Sequence, residues 1–569
     1  MYIGNKKFGA ASVGTLLALS LIASACSKSE NLPAPSSSAS GNPSGSPSPS
    51  AAASVGPLGK YNPPIEVSTV RSVDATMKYA EGDSIDSNIW TKIFENDYGI
   101  KVKNVWSVDA SQYHQKLNVS VASGDLPDFL EVNKEEMKRL IDADMLEDLT
   151  KVWAQYATPY LKNVLNQDGS VGFKAATVGG KLLGIPRTYS NGGTSTAPML
   201  YVRTDWLQKL NLPEPKTMDD VFKTATAFAK QDPDGNGKAD TIGLALNKDF
   251  MDGGHGSLNG FFNGYHAYVD LFVKDAGGKL VYSSVQKELK EPLKKLQQLY
   301  KDGVIDKEFG VKPATKIQED VAAGRVGLAY GTVADGGFIQ KENHTKDPKA
   351  QWKGYPLISA DAQPAIPQLN DTANTFYVVK KGSKHPEAVI QLANIYINRY
   401  YETSYAPNPN PFITDSKTGI FPGKYAPVII DPLNTNLEAF RKVQEALKKG
   451  DGSKLEFPAT IHFERLSKFK AGDDTMWFSN MVFGADGTFS VIDKYDQAKL
   501  GQYNLFLGSA TPAMSEKLPT LKKKIYETYT KIIMGDASID DFDKFADEFK
   551  KLGGDAIEKE VNDWYSKNK

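Results

Sequence analysis

Between residues 65 and 132 the chain switches its hydrophobic rhythm repeatedly, and that alternation limits the folds open to it. IEVSTVRSV (65–73) and IKVKNVWSV (100–108) are β-branched and alternate with a period of two, as strands do. Between them SNIWTKIFENDYG (87–99) has helical spacing and ends at Gly99. SQYHQKLNVSVASG (111–124) is a second amphipathic helix closed by Gly124, and DLPDFLEV (125–132) reads as a strand. Short strands separated by helices predict an α/β fold with a mostly parallel sheet covered by helices. A second series of the same style starts at PMLYVRTDWLQKLNL (198–212). Helices follow at MDDVFKTATAFAK (218–230) and VQKELKEPLKKLQQLYKDG (285–303), with no internal repeat.

A chain of 569 residues exceeds the size at which one core usually keeps growing, so two or more compact units are expected. Lysine plus arginine (67) nearly cancels aspartate plus glutamate (68). No one-signed field remains to attract nucleic acid. The 40% apolar content is enough for a large folded core.

Cys26 is the only cysteine, so no disulfide is possible within the chain. Lys6 and Lys7, an apolar run over 8–22, and then Ala23, Ser24 and Ala25 lead directly into it. This order resembles a bacterial lipoprotein signal, although Ala23 stands where such signals more often carry leucine. The resemblance implies removal of residues 1–25 and acylation of Cys26, with the chain held at the outer face of a bacterial plasma membrane. Residues 26–60 are largely Ser, Pro, Ala, Gly and Asn. They bury too little apolar surface to offset chain entropy and are expected to form a disordered tether, with folded structure beginning near Tyr61.

QDPDGNGKADTIGL (231–244) begins like a calcium loop and does not finish like one. Asp232, Asp234, Asn236 and Asp240 place oxygen ligands at alternate residues around Gly237, a spacing that suits Ca²⁺. The twelfth position counted from Asp232 is Gly243, where an EF-hand carries a bidentate glutamate. The plain alternative is a solvated turn, since turns prefer the same residues. An ion here would have a structural role, pinning a helix-to-strand loop.

ASGDLPDF, LYVRTDWLQKLNLPEPKTMDD, YKDGVIDKEF, AAGRVGLAYG, KHPEAVIQLANIY and KIIMGDASIDDFDKFADEFKKLGGDAIEKEVNDWY occur in this order. Together they resemble family-1 extracellular solute-binding lipoproteins, and more narrowly the large oligosaccharide-binding lipoproteins of Paenibacillus-like bacteria. The resemblance runs from about Pro63 to the C-terminus. It implies a type II periplasmic-binding-protein-like fold, two lobes joined by a hinge, acting as a monomer that delivers an oligosaccharide to the permease subunits of an ABC importer. The lobes would be discontinuous: 61–190 and 373–430 form the N-terminal lobe, 191–372 and 431–569 the C-terminal one. Crossings are expected near 189–198 and 371–378. The same resemblance carries the calcium ligands onto Asp232, Asp234, Asn236, the Lys238 carbonyl, Asp240 and the tenth-place Thr241, within a loop over 232–243.

Sugars present apolar faces and a rim of hydroxyls, so their sites combine aromatic faces with carboxylates, amides and arginines. GDSIDSNIW, GIPRTYSNGG, NGFFNGYHAY, AYGTVADGG and DDTMWFSN carry that mix. By order and by the resemblance, the solute-binding candidates are Asp83, Arg187, Tyr189, Tyr265, Tyr330 and Trp477. Trp206 is expected to pack between a strand and a helix, while Arg203 and Asp205 could pair or cap that helix.

Catalysis finds no constellation. The six histidines, His114, His255, His266, His344, His385 and His462, belong to no triad or zinc pattern, and no phosphate loop is present. A surface-anchored hydrolase or lyase acting on carbohydrate is the alternative, because 68 acidic residues always offer candidate pairs.

Overall fold

Asn88 starts the first helix, Ile89–Tyr98, by a capping box: its side chain accepts from backbone amides of the first turn while Thr91 accepts from the Asn88 amide. Gly99 ends it in the left-handed region at φ 66. Only glycine suits that place, since a Cβ would stand 2.4 Å from the Tyr61 carbonyl oxygen. The computed structural model describes residues 55–74, 77–190, 192–252, 254–372, 374–401, 411–412 and 420–568. Cys26 and the signal lie outside them, as does most of the expected tether.

From Val55 to Lys569 the chain forms one compact unit with two hydrophobic cores. One core gathers side chains from Tyr61 to Ile185 and again from Phe376 to Ile430. The other takes Ala197 to Leu369 and Leu437 to Val561. The chain therefore crosses between them three times: between Ile185 and Ala197, between Leu369 and Phe376, and between Ile430 and Leu437.

Strand pairing departs from the mostly parallel expectation. Ile65–Val73 and Ile100–Asp109 do pair in parallel, as a strand-helix-strand unit must. The first lobe's separate three-stranded sheet is antiparallel: Thr375–Val379 lies between Phe129–Asn133 and Ile185–Pro186. Its central strand arrives from the chain's second visit, so its direction is not set by a local crossover. In the second lobe Met199–Arg203 is buried at every position and pairs antiparallel with Val326–Gly331 and Trp352–Tyr355. Ile242–Leu244 adds a parallel edge.

The helix Ala388–Tyr400 is the first lobe's central support, buried from Ala388 to Asn398 on every side. A polar group there must find partners, and Asn394 does. It accepts from the Thr158 amide at 3.0 Å and donates to the carbonyls of Tyr156 at 2.7 Å and Pro57 at 3.1 Å. Gln391 likewise donates to the Gly56 carbonyl at 2.9 Å. These bonds hold the chain from Val55 onward, so ordered structure starts earlier than the tether boundary at residue 60 expected from composition.

Trp206 is 2% exposed and meets Phe228 edge-on at 5.3 Å. Arg203 and Asp205 pair with each other through two bonds, Nε at 2.8 Å and Nη2 at 2.7 Å. The guanidinium also lies 4.5 Å from the Trp206 ring centre, so the pair lids the indole rather than capping the helix.

Candidate functional site

Two cavities sit at the ends of the crossing segments. The first, about 260 Å³, opens on the first lobe and is walled by Thr69, Arg71, Asp74, Tyr113, Glu131, Arg187, Tyr377 and Lys424 among others. The second, about 90 Å³, is walled in the second lobe by Asn259, Tyr330 and Thr332 and by Thr196, Gln368 and Asn370. Arg187 and Thr196 bound one crossing segment, and Asn370 and Tyr377 bound another. Each segment therefore carries a wall residue of one cavity at one end and of the other cavity at its other end.

The sheet fixes the first cavity's groups. Glu131 and Tyr377 are directly opposite in the antiparallel register, with Ile185 opposite Tyr377 on its other side. Arg187, just past that edge strand, reaches back to Glu131 with Nη1 2.5 Å from Oε1 and stands 4.8 Å from the Tyr189 ring centre. Burial opposes the charge on Arg187, but the neighbouring Tyr377, Glu131 and Tyr189 outweigh it and hold its pKa above the ordinary value. Its Nε is buried without a hydrogen-bond partner among the described residues. Arg71, 8% exposed, donates to the carbonyls of Tyr425 at 3.1 Å and Ala426 at 2.9 Å, and burial lowers its pKa.

In the second cavity Gly260 allows a close approach, since a Cβ there would lie 2.6 Å from Tyr330 Cδ1. Asn259 Oδ1 and the Tyr330 hydroxyl are buried with no hydrogen-bond partner among the described residues. Buried polar atoms are rarely left so, and both belong to residues of the cavity wall. Between the cavities the crossings are fastened: Lys134 Nζ lies 2.8 Å from Asp371 Oδ2, and Thr372 donates to Asp168 at 3.0 Å. The Asn370 amide donates to Thr196 Oγ1 at 3.0 Å.

Of the six solute candidates, the structure places Arg187 and Tyr330 on these walls, and Tyr189, 43% exposed, against Arg187. Asp83 stands apart, paired with Lys92 at 3.0 Å. Tyr265 packs against Phe261 at 5.5 Å, and Trp477, 7% exposed, stacks on His344 at 4.5 Å. Neither is on the walls of these two cavities; Trp477 belongs to the second core and Tyr265 packs against it. Arg71, Glu131, Tyr377, Asn259 and Gln368 are wall residues that sequence reading did not single out.

The loop after Met218–Lys230 draws its carboxylates together. Asp232 accepts from the amides of Gly235, Asn236 and Gly237, and the Asn236 amide bridges Asp234 at 2.7 Å and Asp240 at 3.0 Å. Burial and then the Asp232 carboxylate raise the Asp234 pKa, while that contact lowers Asp232. As these side chains stand, no three carboxylates, thiolates or imidazoles among the described residues converge on a single point. The donor chemistry fits a hard cation, because Asn236 occupies the space between two carboxylates that a cation would fill. Thr241 turns away: its hydroxyl donates to the Phe228 carbonyl at 2.7 Å and the residue is 8% exposed.

Two α/β lobes with discontinuous cores, joined by three crossings and carrying polar cavities at the crossing ends, define a solute-binding protein of the two-lobed, type II kind. The chain belongs to the family described as bacterial extracellular solute-binding protein, whose sequence model matches residues 74–399. It is 30% identical to lipoprotein LipO of Bacillus subtilis over 263 residues, 45% of this chain and 49% of the relative. It is 29% identical to the polygalacturonan/rhamnogalacturonan-binding protein YtcQ of B. subtilis over 244 residues, 42% of this chain and 46% of that one. The aligned stretches thus span about half the length of these relatives.

Solved structures share the fold across nearly the whole chain. An extracellular solute-binding protein of Bifidobacterium longum subsp. infantis superposes with a TM-score of 0.63 at 16% identity, covering 90% of this chain and 100% of its own. The alginate-binding protein AlgQ2, solved without calcium ion, gives 0.55 at 16% identity, covering 89% and 99%. An EF-hand mutant of FusA from Streptococcus pneumoniae, in complex with fructo-nystose, gives 0.57 at 17% identity, covering 88% and 99%.

Proposed function

We propose that the chain is a lipid-anchored receptor that captures an oligosaccharide between its lobes and presents it to the permease subunits of an ABC importer. The observation that carries this reading is the pairing of cavities across shared crossing segments. A ligand touching both walls gains contacts only when the lobes close, and it shifts that equilibrium by its differential affinity. Similarity to the polygalacturonan/rhamnogalacturonan-binding YtcQ and to FusA, solved with fructo-nystose, supports a glycan as solute, and similarity to the lipoprotein LipO supports acylation of Cys26. Among the described residues no helix is long and apolar enough to cross a membrane, so the N-terminal acyl group is the attachment this reading relies on.

In this reading a structural Ca²⁺ occupies the loop, held by Asp232, Asp234, Asn236 and Asp240 and the Lys238 carbonyl. Thr241, committed to Phe228, has no part in the set. The ion would replace the repulsion between neighbouring carboxylates with attraction and fix the link from helix to strand. Lobe closure and transport chemistry need nothing from it.

Titrating the purified protein with an oligosaccharide panel, while following tryptophan fluorescence and the scattering radius, tests the proposal. Saturable binding with a smaller radius and intact sugar is expected. Release of shortened sugar would instead identify a hydrolase or lyase, and an unchanged radius at saturation would remove the closure mechanism.

A further inference from the structure

We propose that the solute carries an anionic substituent, a uronate carboxylate or a sulfate ester, and that Arg71 and Arg187 receive it in the first-lobe cavity. This rests on reading the chain as a glycan receptor.

The cavity wall holds one more cation than carboxylate. Three cations line the cavity, Arg71, Arg187 and Lys424, against two carboxylates, Glu131 and Asp74. Arg187 is bound to Glu131, and Lys424 lies 3.9 Å from Asp74. Arg71 is left over, and it is the most buried of the three. Its guanidinium bonds go to the neutral backbone carbonyls of Tyr425 and Ala426, and among the described residues no carboxylate forms an ion pair with it. Burying a charge without a counter-charge is costly. A chain would keep such a residue on the buried face of its first strand most readily if something outside the chain supplies the missing negative charge.

The rest of the wall agrees. Arg187 has a buried Nε–H with no acceptor, so a second guanidinium faces the same hole with unspent hydrogen-bonding capacity. Guanidinium groups match planar or tetrahedral oxyanions through paired donors, which neutral hydroxyls cannot exploit as fully. Exposed aromatic faces stand beside two of the cations: Tyr189 against Arg187, and Phe421, 45% exposed, with Lys424 at 5.3 Å. Aromatic faces take the apolar side of a sugar ring while the arginines hold its charge. One further acid lies nearby. Asp431 accepts from Tyr401 at 2.8 Å and Tyr396 at 3.4 Å behind Arg187, outside the cavity wall, and burial raises its pKa.

Calorimetric titration of the full-length chain in detergent tests this with matched pairs. Oligogalacturonate, oligoguluronate and oligoglucuronate are each compared with their methyl esters, and sulfated hexosamine disaccharides with their desulfated forms. Neutral fructo-, malto-, xylo- and galacto-oligosaccharides complete the panel. One anionic arm should bind tightest, and neutralising it should weaken binding roughly 10- to 100-fold, the worth of one or two charge-assisted bonds. Whether the ester or the desulfated partner shows the loss tells carboxylate from sulfate. Arg187→Gln should lose most of that discrimination, weakening the anionic sugar by a larger factor than its neutralised partner. Arg71→Lys, which keeps the charge and loses the planar fork, should lie between them, with unliganded melting checked to separate misfolding from lost recognition. Equal or tighter binding of a neutral sugar, or indifference to neutralisation, overturns the proposal and leaves the receptor standing. Absence of binding to every glycan overturns the receptor reading and this inference with it.

Discussion

The Thr241 hydroxyl and the Phe228 carbonyl are joined at 2.7 Å inside the second lobe, which ties the exit of the acidic loop to the last turns of the helix that enters it. Thr241→Val should therefore cost about 1 kcal/mol, one buried hydrogen bond, and leave calcium affinity unaltered. Asp234→Asn should do the reverse, sparing the metal-free melting temperature while removing most of the rise that Ca²⁺ produces over EGTA. Thermal scans of the two variants with and without the ion check both; a Ca²⁺ response equal in Asp234→Asn and the parent would remove the metal from the proposal.

Two buried imidazoles set an acid limit. His462, stacked on Phe483, has its pKa lowered to about 3 by burial and then by Arg465, and burial also lowers that of His255. An unfolded histidine titrates near 6.5. Below that pH the unfolded chain takes up protons that the folded chain refuses, so stability is complete above roughly 6.5 and declines toward pH 3. Between pH 6.5 and 5 the His462 share is about 2 kcal/mol. Denaturant titrations should show a decline over that interval, shallower by about this amount in His462→Leu. A parallel decline in parent and variant would contradict the assignment.

Asn394 satisfies three separate segments from one amide. Asn394→Leu should cost at least about 3 kcal/mol, because Thr158, Tyr156 and Pro57 each lose a partner in a place water does not reach. Hydrogen exchange at the Thr158 amide should speed up more than exchange in the second lobe. Uniform acceleration across the chain would mean that the amide does not act locally.

Tyr189 and Trp477 should separate recognition from packing. With 43% of its surface exposed, Tyr189 can be cut to alanine with a melting shift within about one degree, whereas affinity for the solute should fall about ten-fold. Trp477→Ala opens a hole beside His344 and should cost about 3–5 kcal/mol, with affinity per folded molecule retained. Calorimetry and melting curves on the two variants should give opposite patterns.

Much of the first lobe was legible because its signals are local. The capped helix after Asn88 and the strand at 65–73 announce themselves within a dozen residues; in the second lobe, likewise, Trp206 follows a strand closely enough for its packing to be read. Partnerships set by the chain's return were hidden. Nothing near Phe129–Asn133 says that its neighbour is Thr375–Val379, so the antiparallel pairing and the Glu131–Tyr377 contact could not be seen. Arg71 did leave a trace: it alternates in phase with Val67 and Thr69, both buried, and a charge on the inner side of a strand signals a site. Tyr265 and Trp477 drew attention as aromatics in polar company, a composition that core margins share with sugar sites. Thr241 occupies a ligand's sequence place, but the direction of its side chain is fixed by Phe228 in the helix before the loop.

The wholly buried helix Ala388–Tyr400 belongs to the lobe that begins at the N-terminus, yet it is made only after most of the other lobe. A nascent chain halted before this helix is made leaves Trp90 without the Tyr396 ring that it stacks on at 5.0 Å. The leading half of the chain therefore cannot complete its core until residues far along the sequence have been made.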